Sequence, residues 1–262
     1  IAQFISGVLC LLKLLKMRDS FDLNRSVMKL TKEHSLTVIK LGLPSGITQA
    51  IFSMAMIVVQ SLTNSFGEMV IAANVIIMRV DGFAMMPNFS FGSAMTTYAG
   101  QNIGAGRMDR VEEGTKDGTK IAVAVAATIT VILLLFGHLL MGIFTETQEL
   151  VYLSMRMMRI LAVGYVAMAV TQCLSGVMRG AGDTMTPMWI SLITTVCLRV
   201  PIAYGIVYFT RSDLYPTGRP ESIFVSLLVS WTLGAVITSF SYRKGNWRTK
   251  GLTTAKQGVK GL

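Results

Sequence analysis

The chain has 262 residues, 52% of them hydrophobic and only 15% charged, with mean hydropathy +0.56 and a net charge of +10. So much apolar side chain in so long a chain excludes one soluble core packed in water. The 24 lysines and arginines are not gathered on one soluble face, which argues against nucleic acid as a partner.

The chain starts inside an apolar run, IAQFISGVLCLLKLL, that ends in basic residues and lacks both a charged leader and a small-residue cleavage site. Residues 1–18 therefore read as the end of a membrane helix whose beginning lies upstream. Residues 19–35 read as a linker on the basic side of the membrane. Phe21, Leu23, Val27, Met28 and Leu30 are interspersed among its charges, which suits either a short interfacial helix or a plain solvated connector.

Six long apolar stretches follow within 36–242, at 36–64, 70–98, 119–144, 151–177, 186–209 and 222–242. Each holds about 20 to 30 residues, enough for a helix rising ~1.5 Å per residue to cross a hydrocarbon core of roughly 30 Å. The prediction is an all-α integral membrane protein, a six-helix lobe closed by a basic tail at 243–262. The joining loops sort their charge. If the first linker is cytoplasmic, its side carries Lys13 to Lys40, Arg107, Arg110, Lys116, Lys120, Arg179 and the tail, while the opposite side carries only Arg211 and Arg219. Such a basic face would also meet anionic lipid head groups, so the lipid bilayer itself is an expected partner.

The loop GQNIGAGRMDRVEEGTKDG carries Gly100, Gly104 and Gly106 before a charged helix start but no preceding strand and no Lys-Ser/Thr pair, so it reads as a turn rather than a phosphate cradle. In MRGAGDTMTPM, Asp183 or Thr184 is placed to cap the next helix. The outward loops are short and leave no room between spans for an external domain. Cys10, Cys173 and Cys197 lie in apolar segments without metal-ligand spacing and read as packing residues. Neither His34 nor His138 has a partner at catalytic spacing. The chain is read as no enzyme, with no catalytic residue, no metal site and no resident cofactor.

The chemistry then rests on polar residues inside the spans, which are costly there unless they face protein or water. Gln49, Ser53, Met56, Gln60 and Asn64 fall on one face of the first full span, and Asn74, Met78, Asp81, Met85, Asn88 and Gly92 on one face of the second. The two stripes are expected to look at each other or at one cavity, with Gln172 of the fourth span beside them. Simple hydrogen bonding between helices is the plainer reading of such residues. Asp81 is the one carboxylate well inside a span, and Arg199 lies at comparable depth in the fifth. Two readings stand: a structural Asp81–Arg199 ion pair, or a protonatable site at Asp81. The 18 methionines, several beside the stripes, suit core filling or a lining that repacks around ligands of different shape. Pro44, Pro87 and Pro201 each remove a backbone hydrogen bond in or at the edge of a span.

Three motifs in this order, GLPSGITQ opening the first full span, GQNIGAGRMDR after the second and VMRGAGDTMTP between the fourth and fifth, resemble the carboxy-terminal half of a multidrug and toxic compound extrusion (MATE) transporter. The resemblance implies a twelve-helix exporter of two six-helix lobes that rock between inward-open and outward-open states. This chain would be the second lobe plus the end of the helix before it, in the plasma membrane of a bacterium or archaeon. It also implies small, amphipathic, cationic substrates expelled in exchange for protons or sodium ions, and an amino-terminal lobe of the same polypeptide as partner. One branch of the family has acidic cation-binding residues in this lobe, near positions held here by Phe52 and Met168. The coupling ion is accordingly expected to bind mainly in the upstream lobe. Alternatives are a lipid-linked oligosaccharide flippase of the same superfamily, which would show a more basic cavity, and a structural membrane subunit that transports nothing.

Overall fold

The computed structural model describes residues 2–16, 32–213 and 215–248. The chain divides into two compact units, Ile1–Gly42 and Leu43–Leu262. The first contains α1 (Ala2–Lys16), whose side chains are all exposed. Leu9, Leu11, Leu12 and Leu15 are exposed, as befits an apolar helix solvated by lipid. The interfacial-helix expectation falls on residues outside those described. Helix α2 (Lys32–Asn64) begins in this unit and continues through the second.

The second unit adds α3 (Glu68–Gly104), α4 (Met108–Gly142), α5 (Gln148–Gly180), α6 (Met185–Leu192), a π-helical turn (Ile193–Arg199), α7 (Val200–Phe209) and α8 (Ser222–Lys244). Helix α6, the π turn and α7 form one continuous span, and six helices among the described residues are long and apolar enough to cross a membrane. Helices α3 and α4 run further than the apolar pattern alone indicates. At ~1.5 Å per residue, α3 is about 55 Å long, so its polar end projects beyond the hydrocarbon.

Helix α5 is the central member, packed on α3, α4 and α8. Lipid offers no hydrophobic drive for helices to associate, so close backbone approach and polar bonds must supply it. Gly176 and Gly180 of α5 lie against the backbone of α3 at Gly92 and Thr96, where a Cβ would strike a carbonyl oxygen. Two further bonds tie the bundle: Thr130 Oγ1 donates to the Ala162 carbonyl at 2.8 Å, and Ser230 Oγ to the Thr194 carbonyl at 2.6 Å. Of the three cysteines only Cys173 packs inside. Cys10, on a helix whose side chains are all exposed, and Cys197 are exposed.

Pro44 and Pro87 sit inside unbroken helices. Pro201 is different. Its ring crowds the carbonyl four residues back and supplies no N–H, and the span widens into the π turn immediately before it. At the basic end, the Asp183 carboxylate accepts from the Thr186 N–H at 3.2 Å and the Thr186 hydroxyl at 2.7 Å, so Asp183, not Thr184, caps α6. Gly245, at φ +77°, ends α8 and turns the chain back. Trp247 is thereby buried and stacked on Tyr242, with ring centroids 5.1 Å apart, and Arg248 pairs with Glu112 at 2.7 Å.

Candidate functional site

Helices α2, α3, α5, α6 and α8 and the π turn line two adjoining cavities of about 320 and 280 Å3. Phe52, Phe89, Met168, Leu227, Trp231 and Arg199 line both and form the seam between them. The larger runs past Gln49, Gln172 and Thr195 to Arg179. The smaller runs past Met56, Met78 and Met85 to Gln60 and Asn74.

The two polar stripes meet only in part. Asn74 Nδ2 donates to Gln60 Oε1 at 3.4 Å, and Gln60 Nε2 in turn to Asn64 Oδ1 at 2.9 Å. Asp81 and Met85 line the smaller cavity, Gln49 and Gln172 the larger. Two residues of the expected set line neither. Ser53 is exposed and bonds back to the Gln49 carbonyl of its own helix at 3.1 Å. Asn88 is buried and donates to the Tyr165 carbonyl at 3.3 Å, so it joins α3 to α5 as a structural bond.

Asp81 is half-buried, and the Tyr165 hydroxyl donates to its Oδ1 at 2.8 Å. Asp81 and Arg199, expected from depth to pair, line one cavity and interact electrostatically across it without direct contact. No salt bridge within 4.0 Å joins them, because the carboxylate is engaged by Tyr165 on α5 while Arg199 issues from the π turn. Arg199 is only 5% exposed, and its Nε has no hydrogen-bond partner.

Sequence reasoning missed Tyr165. It is fully buried, sits midway along α5 and lies 6.0 Å from the Trp231 ring. A buried carboxylate demands a donor, and a tyrosine near mid-span was the available signal. Taken together, the site presents one carboxylate, two guanidinium groups without a direct ion pair among the described residues and a wall of aromatic and thioether groups. That composition suits amphipathic ligands carrying charge and leaves no nucleophile–base pair.

Residues 44–205 match the MatE family. Probable multidrug resistance protein YoeA of Bacillus subtilis is 27% identical over 231 residues, covering 87% of this chain and 48% of that relative. Probable multidrug resistance protein NorM of Thermotoga maritima is 21% identical over 240 residues, covering 92% and 50%. Among solved structures, a MATE crystallised in the straight conformation superposes with a TM-score of 0.81 at 19% identity, over 94% of this chain and 54% of that one. A MATE in the bent conformation gives 0.79 at 19% identity, over 91% and 52%. The chain spans about half the length of the curated relatives it matches.

Proposed function

The chain belongs to the MatE family, and from that membership we propose that it is the carboxy-terminal lobe of a secondary active multidrug exporter working by alternating access. An upstream lobe of the same polypeptide completes the chamber. Small amphipathic cations leave the cell as protons or sodium ions enter. The coupling ion binds mainly in the upstream lobe, in keeping with Phe52 and Met168 occupying the cavity wall here. The observation that carries this reading is Asp81, the one carboxylate lining either cavity, held by Tyr165 among methionines and aromatic rings.

A flat organic cation lies against Met56, Met78, Met85 and Phe52, and its charge faces Asp81. At ~4 Å and an effective dielectric of ~20, that attraction is about 4 kcal/mol before desolvation is subtracted. Methionine side chains change rotamer at low cost, so one wall fits substrates of several shapes.

The test uses the full-length transporter and ethidium efflux from energised cells, with folded yield measured separately. Asp81→Asn is expected to fold at wild-type yield and to slow efflux by about tenfold or more, the equivalent of losing ~1.4 kcal/mol or more of cation binding. Absent efflux in the full-length wild type, or unchanged efflux in Asp81→Asn, refutes the proposal.

A further inference from the structure

Helix α5 has a second polar face, turned away from the cavities. At ~100° per residue, Tyr152, Arg156, Arg159 and Val163 share one narrow stripe, while Leu161, Met168 and Gln172, which line the cavities, fall on the far side of the helix. All four stripe residues are exposed, although α5 is the most enclosed of the six spans. On one flank of the stripe Met155 packs against Gly137 of α4, and on the other Gly164 packs against Trp231 of α8. The stripe is therefore the floor of a groove between α4 and α8. At the basic end the Arg248–Glu112 pair ties the chain after α8 to α4.

Depth makes this floor unusual. The 33 residues of α5 extend about 50 Å, some 20 Å more than the hydrocarbon needs. Shared evenly between the two ends, that surplus sets the hydrocarbon edge near Met155 and puts Arg159 about 6 Å inside it. Arg159 takes part in no ion pair among the described residues. Arg156, a turn nearer the water, meets Glu221 Oε1 through its Nε at 2.7 Å, and 58% of its side chain stays exposed. Glu149 stands about 10 Å further out, in the first turn of α5, and pairs with neither arginine. One positive charge is thus left over below the interface. Above it the Tyr152 ring stands edge-on to His138 of α4, with centroids 5.3 Å apart. Exposed Leu135, Leu134 and Val131 follow His138 along α4 at helical spacing and give the groove an apolar wall.

We propose that this groove binds an acidic phospholipid of the leaflet opposite the basic face. Its phosphate settles on Arg159 and Arg156, the Tyr152 hydroxyl donates beside them, and the acyl chains lie along Val163 and the α4 wall. A lone lipid-facing arginine would only snorkel toward the head groups. A second guanidinium one turn away on the same face, in a groove with apolar sides, gives the phosphate a fixed place and supplies Arg159 with the counter-charge that its depth demands. The site is independent of what the transporter carries.

Native mass spectrometry of the full-length transporter, titrated with phosphatidylglycerol or phosphatidylcholine, reads the bound lipid on folded protein alone, so a lowered yield cannot imitate lost binding. The wild type should take its first phosphatidylglycerol at least about fivefold more tightly than phosphatidylcholine, and Arg159→Gln should remove most of that preference. Arg159→Lys should restore part of it, because the charge returns without the fork. Arg211→Gln, the same charge change on the same side of the membrane but outside the groove, should leave it intact. Equal binding of the two lipids by the wild type overturns the proposal. So does a preference that survives Arg159→Gln, or one that falls as far in Arg211→Gln, which would assign it to diffuse surface charge. A benzophenone side chain in place of Val163 should crosslink to lipid; crosslinking to the upstream lobe instead makes this face a protein interface and overturns the proposal too.

Discussion

Replacing Tyr165 with Phe removes one oxygen from the site and nothing from its shape. The lost bond is 2.8 Å long, from a fully buried hydroxyl to a carboxylate. Hydrogen bonds to charged groups contribute about 1.5–3 kcal/mol. Asp81 is only half-buried, so water can reach part of the carboxylate and the lower end, about 1.5 kcal/mol, is expected here. Asp81→Leu should cost a similar amount, because it leaves the Tyr165 hydroxyl only the weak Met158 Sδ acceptor at 3.6 Å. The double variant, with both partners apolar, should recover most of the loss. Unfolding of the full-length transporter in mixed micelles, run as a double-mutant cycle, measures the coupling. Additive single effects refute the bond. The parallel cycle of Asp81→Leu with Arg199→Gln should show a smaller coupling, because no ion pair joins these two; a coupling above that of the Tyr165 cycle would restore the direct pair.

Gly176→Ala should destabilise the transporter by about 1–3 kcal/mol, since its new Cβ meets the Gly92 carbonyl on a neighbouring helix. Gly205→Ala, with nothing within 4 Å of its Cβ, should be neutral or stabilising by up to about 1 kcal/mol; equal effects at the two positions would show that α3 and α5 do not cross there. Trp247→Ala should cost about 3 kcal/mol by emptying a buried indole site and breaking the Nε1 bond to the Tyr242 carbonyl at 2.9 Å, read as a lowered melting temperature, with unaltered melting counting against the folded-back turn. With the basic end cytoplasmic, a cysteine replacing Asp213 should react with an impermeant thiol reagent in intact cells and one replacing Arg110 should not; the reverse pattern inverts the topology.

The spans were legible because length and hydropathy alone decide them in a bilayer. The site was legible where helical periodicity decides it. Spacing put Gln60, Asn74 and Asp81 on the faces that meet, and the structure joins Gln60 to Asn74 directly. Periodicity gives a face, however, and not what the face meets. Ser53 shares a stripe with Gln49 and Gln60 yet satisfies its hydroxyl on its own backbone. Asn88 shares one with Asp81 yet is drawn into the α3–α5 interface, where the close glycine crossing lies a turn away. Trp247 was hidden for a similar reason. A run of charges marks a tail, and nothing local shows that Gly245 turns an indole back into the core.

Arg199 shows why depth matching fails for charge pairs. Two opposite charges at one level in a membrane invite pairing, since each alone is costly there. Pairing further requires both side chains to issue toward one point, and Pro201 alters that condition at the fifth span. Its missing donor and crowded ring are accommodated by the π turn, which changes the register of everything from Ile193 to Arg199. Meanwhile Asp81 finds a nearer donor in Tyr165, a bond that leaves the carboxylate facing the cavity rather than buried in an ion pair. The two opposite charges thus face one cavity and interact through space without direct contact. Under the exporter reading proposed above, that lack of direct contact would matter, because a charge locked in a close pair has less left with which to bind a substrate.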